Sequence, residues 1–133
     1  MRRFLLDTSV LVRHWRGCRT GKTSAQIKES DADLWARRLI EIEDTNAIVT
    51  PVLLEYLCGV RDQSELGLAR AYLKPFQSVD EGKTLVADWR EARRLAERVP
   101  KNGRPRDFSD CLIKAIASRL NYQVRTFDTG MPG

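Results

Sequence analysis

The stretch Phe4-Leu5-Leu6-Asp7-Thr8-Ser9 decides the fold prediction. Its three apolar residues indicate a short buried strand, which stops on a carboxylate just before a segment with helical spacing. In open α/β sheets, ligands gather outside the carboxyl ends of the strands. A buried carboxylate is costly unless it is paired or holds a metal. The role of Asp7 therefore depends on which other groups the fold brings to the same edge.

The rest of the chain alternates strands and helices around this stretch. Residues 3–7, 46–50, 76–79 and 122–126 are predicted strands, and the predicted helices span 8–16, 31–43, 51–59, 63–73, 82–99 and 108–120. Such alternation predicts an α/β fold with a mostly parallel sheet covered on both faces. The carboxyl ends of its strands then open on one edge. In the second helix, Asp31 is the predicted cap, and the predicted apolar stripe is Leu34, Trp35, Leu39 and Ile42.

Composition limits the classes of protein that this chain can represent. Its 133 residues, 42% hydrophobic and 31% charged, predict one soluble domain over residues 1–133. No apolar stretch approaches the roughly 20 residues of a membrane span, and the N-terminus lacks the pattern of a signal peptide. Cys18, Cys58 and Cys111 suggest no disulfide framework, which favours a cytoplasmic protein. The net charge of +5 suits a polyanionic partner such as nucleic acid.

Four acids from distant segments are predicted near the edge where the strands end. Asp7 ends the first strand, Glu55 lies in about the first turn after the second, Asp110 opens the helix at 108–120, and Asp128 follows the last strand. Clustered carboxylates suit a hard divalent cation such as Mg²⁺ or Mn²⁺, which takes oxygen ligands. Such an ion can polarise a phosphoryl oxygen and activate water. Acids at the centre and basic residues around them are the charge layout expected of a metal-dependent nuclease.

Three segments also carry a resemblance to a known family: FLLDTSVLVRHWRG at 4–17, IVTPVLLEYLCGVRD at 48–62 and RPRDFSDCLIKAIASRLNYQVRTFD at 104–128. In this order they resemble the PIN-domain family, and within it the VapC-type ribonuclease toxins. The resemblance implies a Rossmann-like three-layer α/β/α sandwich, a Mg²⁺- or Mn²⁺-dependent endoribonuclease and a homodimer. It also implies a small antitoxin whose C-terminal segment covers the active site. The family's acids fall on Asp7, Glu55, Asp110 and Asp128.

Three features depart from the family pattern. The loop at 17–30 is longer and more basic than usual, which would alter contacts with RNA or antitoxin. The Asp-Phe pair that commonly follows the fourth acid is missing, and the chain stops where a further short strand is common. The last two differences make the placement of Asp128 less secure than that of the other three acids.

Each acid also has a purely structural interpretation. Asp7 could cap the first helix, and Glu55 could be an exposed residue favoured by the helix dipole. Asp107 competes with Asp110, and we assign Asp107 to the cap and Asp110 to the metal. Asp128 begins a sequence typical of a turn. The hydroxyls of Thr8, Ser9 and Thr126 could either support the carboxylates or cap local backbone.

Other features are assigned structural roles. His14, the only histidine, leaves no zinc site based on histidine and is predicted to be structural. The arginines at 90, 93, 94 and 98 either face RNA phosphates or pair with Asp88, Glu91 and Glu97 on a solvated helix. The tryptophans are assigned to the core or a dimer surface. The segment Gly17–Thr23 resembles a phosphate loop, but it follows a helix and is one residue short.

Three functions therefore compete. The first is RNA hydrolysis by metal-activated water. The second is a PIN-like module that binds RNA or protein without catalysis, and the complete acid set argues against it. The third is phosphoryl transfer in the manner of aspartyl phosphatases, which need an Asp-x-Asp sequence, whereas residue 9 is Ser.

Overall fold

Two pairs of parallel strands form the centre of the molecule, for which a computed structural model describes residues 3–101 and 103–133. Strand β1 (Arg3–Leu6) pairs with β4 (Tyr122–Arg125), and β2 (Ala47–Ile48) pairs with β3 (Gln77–Ser78). Beside β2, the Thr45 hydroxyl donates to the Phe4 carbonyl over 2.7 Å and links the two pairs. The predicted parallel arrangement is confirmed, and β2 and β3 are shorter than predicted.

In the part of the chain that the structure describes, six α-helices cover the strands. They are α1 (Thr8–Cys18), α2 (Glu29–Glu43), α3 (Thr50–Cys58), α4 (Gln63–Leu73), α5 (Val86–Ala96) and α6 (Phe108–Arg119), with a 3-10 turn at Ser24–Gln26. Helix α1 packs on α3, α2 on α4, and α5 on α6. The predicted α/β/α sandwich is therefore the observed fold. Helix α5 begins later and ends earlier than predicted.

The core forms where β1 meets the helices. Leu5 and Leu6 of β1 are fully buried, as are Leu11 of α1 and Ile113 and Ile116 of α6. Burying a side chain of this size stabilises the fold by about 2 kcal/mol relative to leaving it exposed. The apolar half of β1 thus anchors the strand, and the residue that follows it has a fixed position.

Helix α2 differs from its prediction in two ways. It begins two residues earlier, so Asp31 is not the cap but lies inside the first turn, where its carboxylate accepts the Lys28 backbone N–H at 2.9 Å. Leu34 and Ile42 are exposed, whereas Trp35 and Leu39 are buried as predicted. The buried face also uses two alanines, Ala32 and Ala36, whose small side chains let α4 approach closely. Counting only large apolar residues misplaced the stripe.

The loop after α1 folds back onto the helices. The Arg19 guanidinium pairs with Glu65 at 3.4 Å, and the Lys22 ammonium lies 5.2 Å from the Trp35 ring centroid. Gly17 belongs to α1 rather than to a loop after a strand. The local resemblance to a phosphate loop is therefore a coincidence of sequence.

Two of the predicted ion pairs on α5 are present, and a third has a different partner. Arg93 pairs with Glu97 and Arg94 pairs with Glu91 on the exposed face. Asp88 is buried and instead accepts two hydrogen bonds from Arg119 of α6, at 2.7 and 3.0 Å. It also accepts the Leu85 backbone N–H at 2.8 Å. Asp88 therefore joins the start of α5 to the end of α6.

We expect Asp88→Ala to lower the free energy of unfolding by about 2 kcal/mol, because it leaves Arg119 and the Leu85 N–H without their acceptor. Urea unfolding monitored by circular dichroism measures this loss. Glu97→Ala removes an exposed pair and serves as the control, with an expected loss below about 1 kcal/mol. Equal losses in the two variants would contradict the role assigned to Asp88.

Candidate metal centre

Three aspartates converge at the carboxyl ends of β1 and β4. Asp7 follows β1, Asp110 lies in the first turn of α6, and Asp128 follows β4. One carboxylate oxygen from each lies within 4.8 Å of the others. Asp7 and Asp110 are buried, with 2% and 4% of their surface exposed. The edge of the sheet therefore collects three of the four acids proposed from the sequence.

Two hydroxyls hold the Asp7 carboxylate. Ser9 Oγ donates to Asp7 Oδ2 over 2.9 Å, and Thr126 Oγ1 donates to the same oxygen over 2.7 Å. The Phe127 N–H donates to Ser9 Oγ, and the Asp128 N–H donates to Thr126 Oγ1. Asp7 stands at the cap position of α1, but its side chain makes no capping hydrogen bond. The Ser9 and Thr126 hydroxyls therefore support the carboxylate, and the cap interpretation of the Asp7 side chain is wrong.

Two carboxylate oxygens of the cluster are buried without a hydrogen-bond partner. They are Asp7 Oδ1 and Asp110 Oδ2, and no other buried side-chain nitrogen or oxygen in the described residues lacks a partner. An unsatisfied buried acceptor costs roughly 1–3 kcal/mol, and more when it is charged. A cation between these oxygens would remove that cost. The donor set, all carboxylate oxygen, fits a hard divalent ion.

The electrostatics of Asp110 and Asp128 show how closely the acids are packed. Burial raises the pKa of Asp110 to about 8, and the hydrogen bond and negative charge of Asp128 and the charge of Asp7 add to the effect. The hydrogen bond from Asp110, together with the Gly130 N–H, lowers the pKa of Asp128. Without a cation, Asp110 is therefore the acid that favours its protonated form, while Asp128 favours its charged form.

Glu55 lies beside this cluster and not within it. It is the sixth residue of α3 and so lies beyond the predicted first turn. Thr8 Oγ1 donates to Glu55 Oε1 and Ser109 Oγ donates to Glu55 Oε2, both over 2.6 Å. Each hydroxyl belongs to a residue adjacent in sequence to Asp7 or Asp110. Glu55 therefore contacts the cluster through its neighbours, and both of its oxygens already have donors.

Asp107 caps α6, as proposed from the sequence. Its Oδ1 accepts the Ser109 N–H at 2.9 Å and the Asp110 N–H at 3.4 Å. Ser109 Oγ also lies 2.7 Å from the same oxygen, in competition with Glu55 for one hydroxyl proton. Sequence reasoning overlooked Ser109. The signal was its position between a capping acid and a candidate ligand.

Asp128 has both of the roles that the sequence left open. Its Oδ1 accepts the Gly130 N–H at 2.8 Å, which forms the predicted turn, while the carboxylate also belongs to the cluster. A Cβ on Gly130 would approach Asp128 Oδ1 to 3.2 Å, which is a tight contact. The turn therefore fixes the orientation of Asp128 toward the other two aspartates.

The fold and the site together define an α/β/α protein with an acidic centre at the ends of parallel strands. The family model described as "PIN domain" matches residues 4–132, so the chain belongs to the PIN domain family. The PIN domain is generally a nuclease domain and usually binds a divalent metal. No curated protein and no solved structure gave a match.

In the metal-free protein, stability should fall as pH rises from about 4, where an unfolded aspartate ionises, to about 8, where Asp110 ionises in the fold. In this window the folded state holds a proton that the unfolded state has lost. Asp110→Asn should remove this decline and raise the free energy of unfolding at pH 8. Urea unfolding at several pH values in the presence of a chelator measures both effects.

Asp62→Asn is the matched control, because Asp62 caps α4 far from the cluster and asparagine caps nearly as well. It should keep the pH dependence of the unmutated protein. A pH profile of Asp110→Asn identical to that of the unmutated protein would contradict the raised pKa.

Proposed function

We propose that this protein is a Mg²⁺- or Mn²⁺-dependent endoribonuclease and the toxin of a toxin–antitoxin pair. The observation that carries the proposal is the pair of buried, unpartnered oxygens on Asp7 and Asp110 within a cluster of three aspartates. A structural cluster would be expected to satisfy these oxygens from the protein. The membership of the chain in the PIN domain family supports nuclease chemistry at this position.

The residues of the centre would have different roles in such a site. Asp7, Asp110 and Asp128 would hold the ion, and Glu55 would join them from the same edge of the sheet. A bound divalent cation lowers the pKa of water and stabilises charge on a phosphoryl oxygen. The hydroxyls of Ser9 and Thr126 orient Asp7, and those of Thr8 and Ser109 orient Glu55. The carboxylates are thereby held in position before RNA arrives.

The alternative of a PIN-like binding module without catalysis is less well supported. A degenerate site would be expected to have lost an acid or filled the space beside it. Here all four acids are present, and hydroxyls support Asp7 and Glu55. A module that only bound RNA would gain nothing from buried negative charge, which repels phosphate.

The substitution Asp7→Asn should lower metal-dependent RNA cleavage more than about 100-fold, because even outer residues of metal sites contribute 10- to 100-fold. Cleavage of a fluorescent single-stranded RNA with Mg²⁺ or Mn²⁺, with and without a chelator, measures the rate. Calorimetric titration measures the affinity of each protein for Mn²⁺. Expression of the unmutated protein in a bacterial host should arrest growth, and expression of Asp7→Asn should not.

Asp33→Asn is the control, since Asp33 is an exposed aspartate on α2 that pairs with Arg37. It should cleave RNA and bind Mn²⁺ as the unmutated protein does. Full activity in Asp7→Asn would exclude the proposed centre. Metal-dependent cleavage without growth arrest would support the nuclease activity and exclude the role as a toxin.

The proposed partners are single-stranded RNA, a small antitoxin that covers the acidic centre, and a second copy of the chain. An apolar surface suited to the homodimer lies on α5 and at the start of α6, where the Trp89 and Phe108 rings stack with centroids 6.2 Å apart. Both rings are exposed, as are the adjoining Leu85 and Val86. Contiguous exposed apolar surface commonly marks a protein interface.

Trp89→Glu should shift the protein from dimer to monomer, because it places a charge in the buried centre of that interface. Sedimentation velocity measures the shift. Leu34→Glu is the matched control, since Leu34 on α2 is 45% exposed and Trp89 is 49% exposed. A dimer that persists in Trp89→Glu would exclude this surface as the dimer interface.

The proposed place of action is the cytoplasm. None of the helices in residues 3–101 and 103–133 combines the length and the apolar character that a bilayer crossing requires. Cys18, Cys58 and Cys111 are all free thiols in the structure. Free thiols are typical of a reducing compartment, where an RNA target is also present.

A further inference from the structure

Arg13 lies on α1, and its guanidinium contacts an aromatic ring rather than a carboxylate. It follows Ser9 by four residues and so shares a helix face with the hydroxyl that supports Asp7. Its side chain is exposed, and its guanidinium carbon lies 4.2 Å from the centroid of the Phe127 ring. No carboxylate in the described residues forms an ion pair with it, so its charge is not neutralised locally.

Phe127 is fixed to the acidic centre by its own backbone. Its N–H donates to Ser9 Oγ over 3.0 Å, and its neighbours in the chain are Thr126 and Asp128. Adjacent Cα atoms are 3.8 Å apart, so the Phe127 backbone lies next to Asp128 of the cluster. The ring is nevertheless 54% exposed. An exposed aromatic ring in this position orients the guanidinium stacked upon it.

We propose that Arg13, held on the Phe127 ring, binds a backbone phosphate of single-stranded RNA beside the acidic centre. The proposal rests on the proposed function, because it names how that site holds its substrate. A stacked guanidinium keeps its N–H donors in the plane of the group and available at its edges. Its planar fork then donates two hydrogen bonds to a phosphate.

Some of the other arginines, such as Arg70, also form no ion pair within the described residues, and Arg13 is distinguished by its contact with Phe127, the residue between Thr126 and Asp128. Six other arginines pair with carboxylates over the rest of the surface: Arg19, Arg37, Arg93, Arg94, Arg119 and Arg125. Their charge is largely cancelled. A polyanion that approaches three aspartates needs uncancelled positive charge close to them. Arg13 supplies such charge beside Phe127.

The test compares Arg13→Ala, Arg13→Lys and Phe127→Leu with the unmutated protein and with Arg70→Ala as control. Arg70 is exposed on α4, and its side chain makes no ion pair or ring contact with any residue that the structure describes. Affinity for a fluorescent single-stranded RNA is measured by anisotropy in a chelator at several salt concentrations. Cleavage kinetics with Mn²⁺ and calorimetric Mn²⁺ titration follow on the same proteins.

Arg13→Ala should weaken RNA binding and raise KM about tenfold, while kcat and Mn²⁺ affinity stay unchanged. The slope of log affinity against log salt should fall by about 0.7, as expected when one phosphate contact to a single strand is lost. Arg13→Lys should keep that slope and recover part of the affinity. Phe127→Leu should weaken binding several-fold and also keep the slope, because the charge remains but its orientation is lost.

An unchanged affinity and slope in Arg13→Ala would overturn the proposal, and so would an equal loss in Arg70→Ala. A loss of kcat or Mn²⁺ affinity in Arg13→Ala would overturn it too, because Arg13 would then support the metal centre. RNA binding that depends on Arg13 without any cleavage would support the phosphate site and exclude the proposed nuclease. RNA cleavage that is unchanged in Arg13→Ala would support the proposed nuclease and exclude the phosphate site at Arg13.

Discussion

The burial of the Asp7 carboxylate at the end of β1 is the constraint on which the rest of the site depends. Two fully buried leucines fix the strand before it, and the side chain itself is 2% exposed. Its position is held from two directions, by Ser9 on the helix that follows and by Thr126 at the end of the paired strand. One hydrogen-bonded oxygen therefore joins β1, α1 and β4. The other oxygen is buried and has no hydrogen-bond partner.

This arrangement stores unfavourable electrostatics in the metal-free fold. Asp110 is driven toward its protonated form by burial and by the neighbouring acids, while Asp128 keeps its charge. A protein selected only for stability would replace one of these residues, since like charges in low dielectric repel strongly. This electrostatic repulsion is concentrated at the edge of the sheet, where ligands bind in α/β folds. Strain of this kind is expected where a site is organised before its ligand binds.

The acids are held in place by hydrogen bonds from serine and threonine hydroxyls. Thr8 and Ser109 each lie beside an aspartate in sequence, and both donate to Glu55. The turn at Gly130 orients Asp128 in the same way. Hydrogen bonds from small polar residues thus join four separate chain segments at one site. Because each hydroxyl is only a few atoms long, its position is set by the backbone and loses little conformational freedom.

The sequence by itself determined the order of strands and helices, the parallel sheet, and the edge at which Asp7, Asp110 and Asp128 meet. These features follow from apolar periodicity and from residues next to strand ends, which are local properties. Tertiary structure alone decided that Glu55 contacts the aspartate cluster through a hydroxyl group rather than directly. It also decided that Asp88 pairs with Arg119 and that Ala32 and Ala36 complete the buried face of α2. Tertiary structure also placed Arg13 on Phe127. Each of these contacts joins residues whose distance depends on how helices pack or rotate, and residue spacing along the chain carries no record of that rotation.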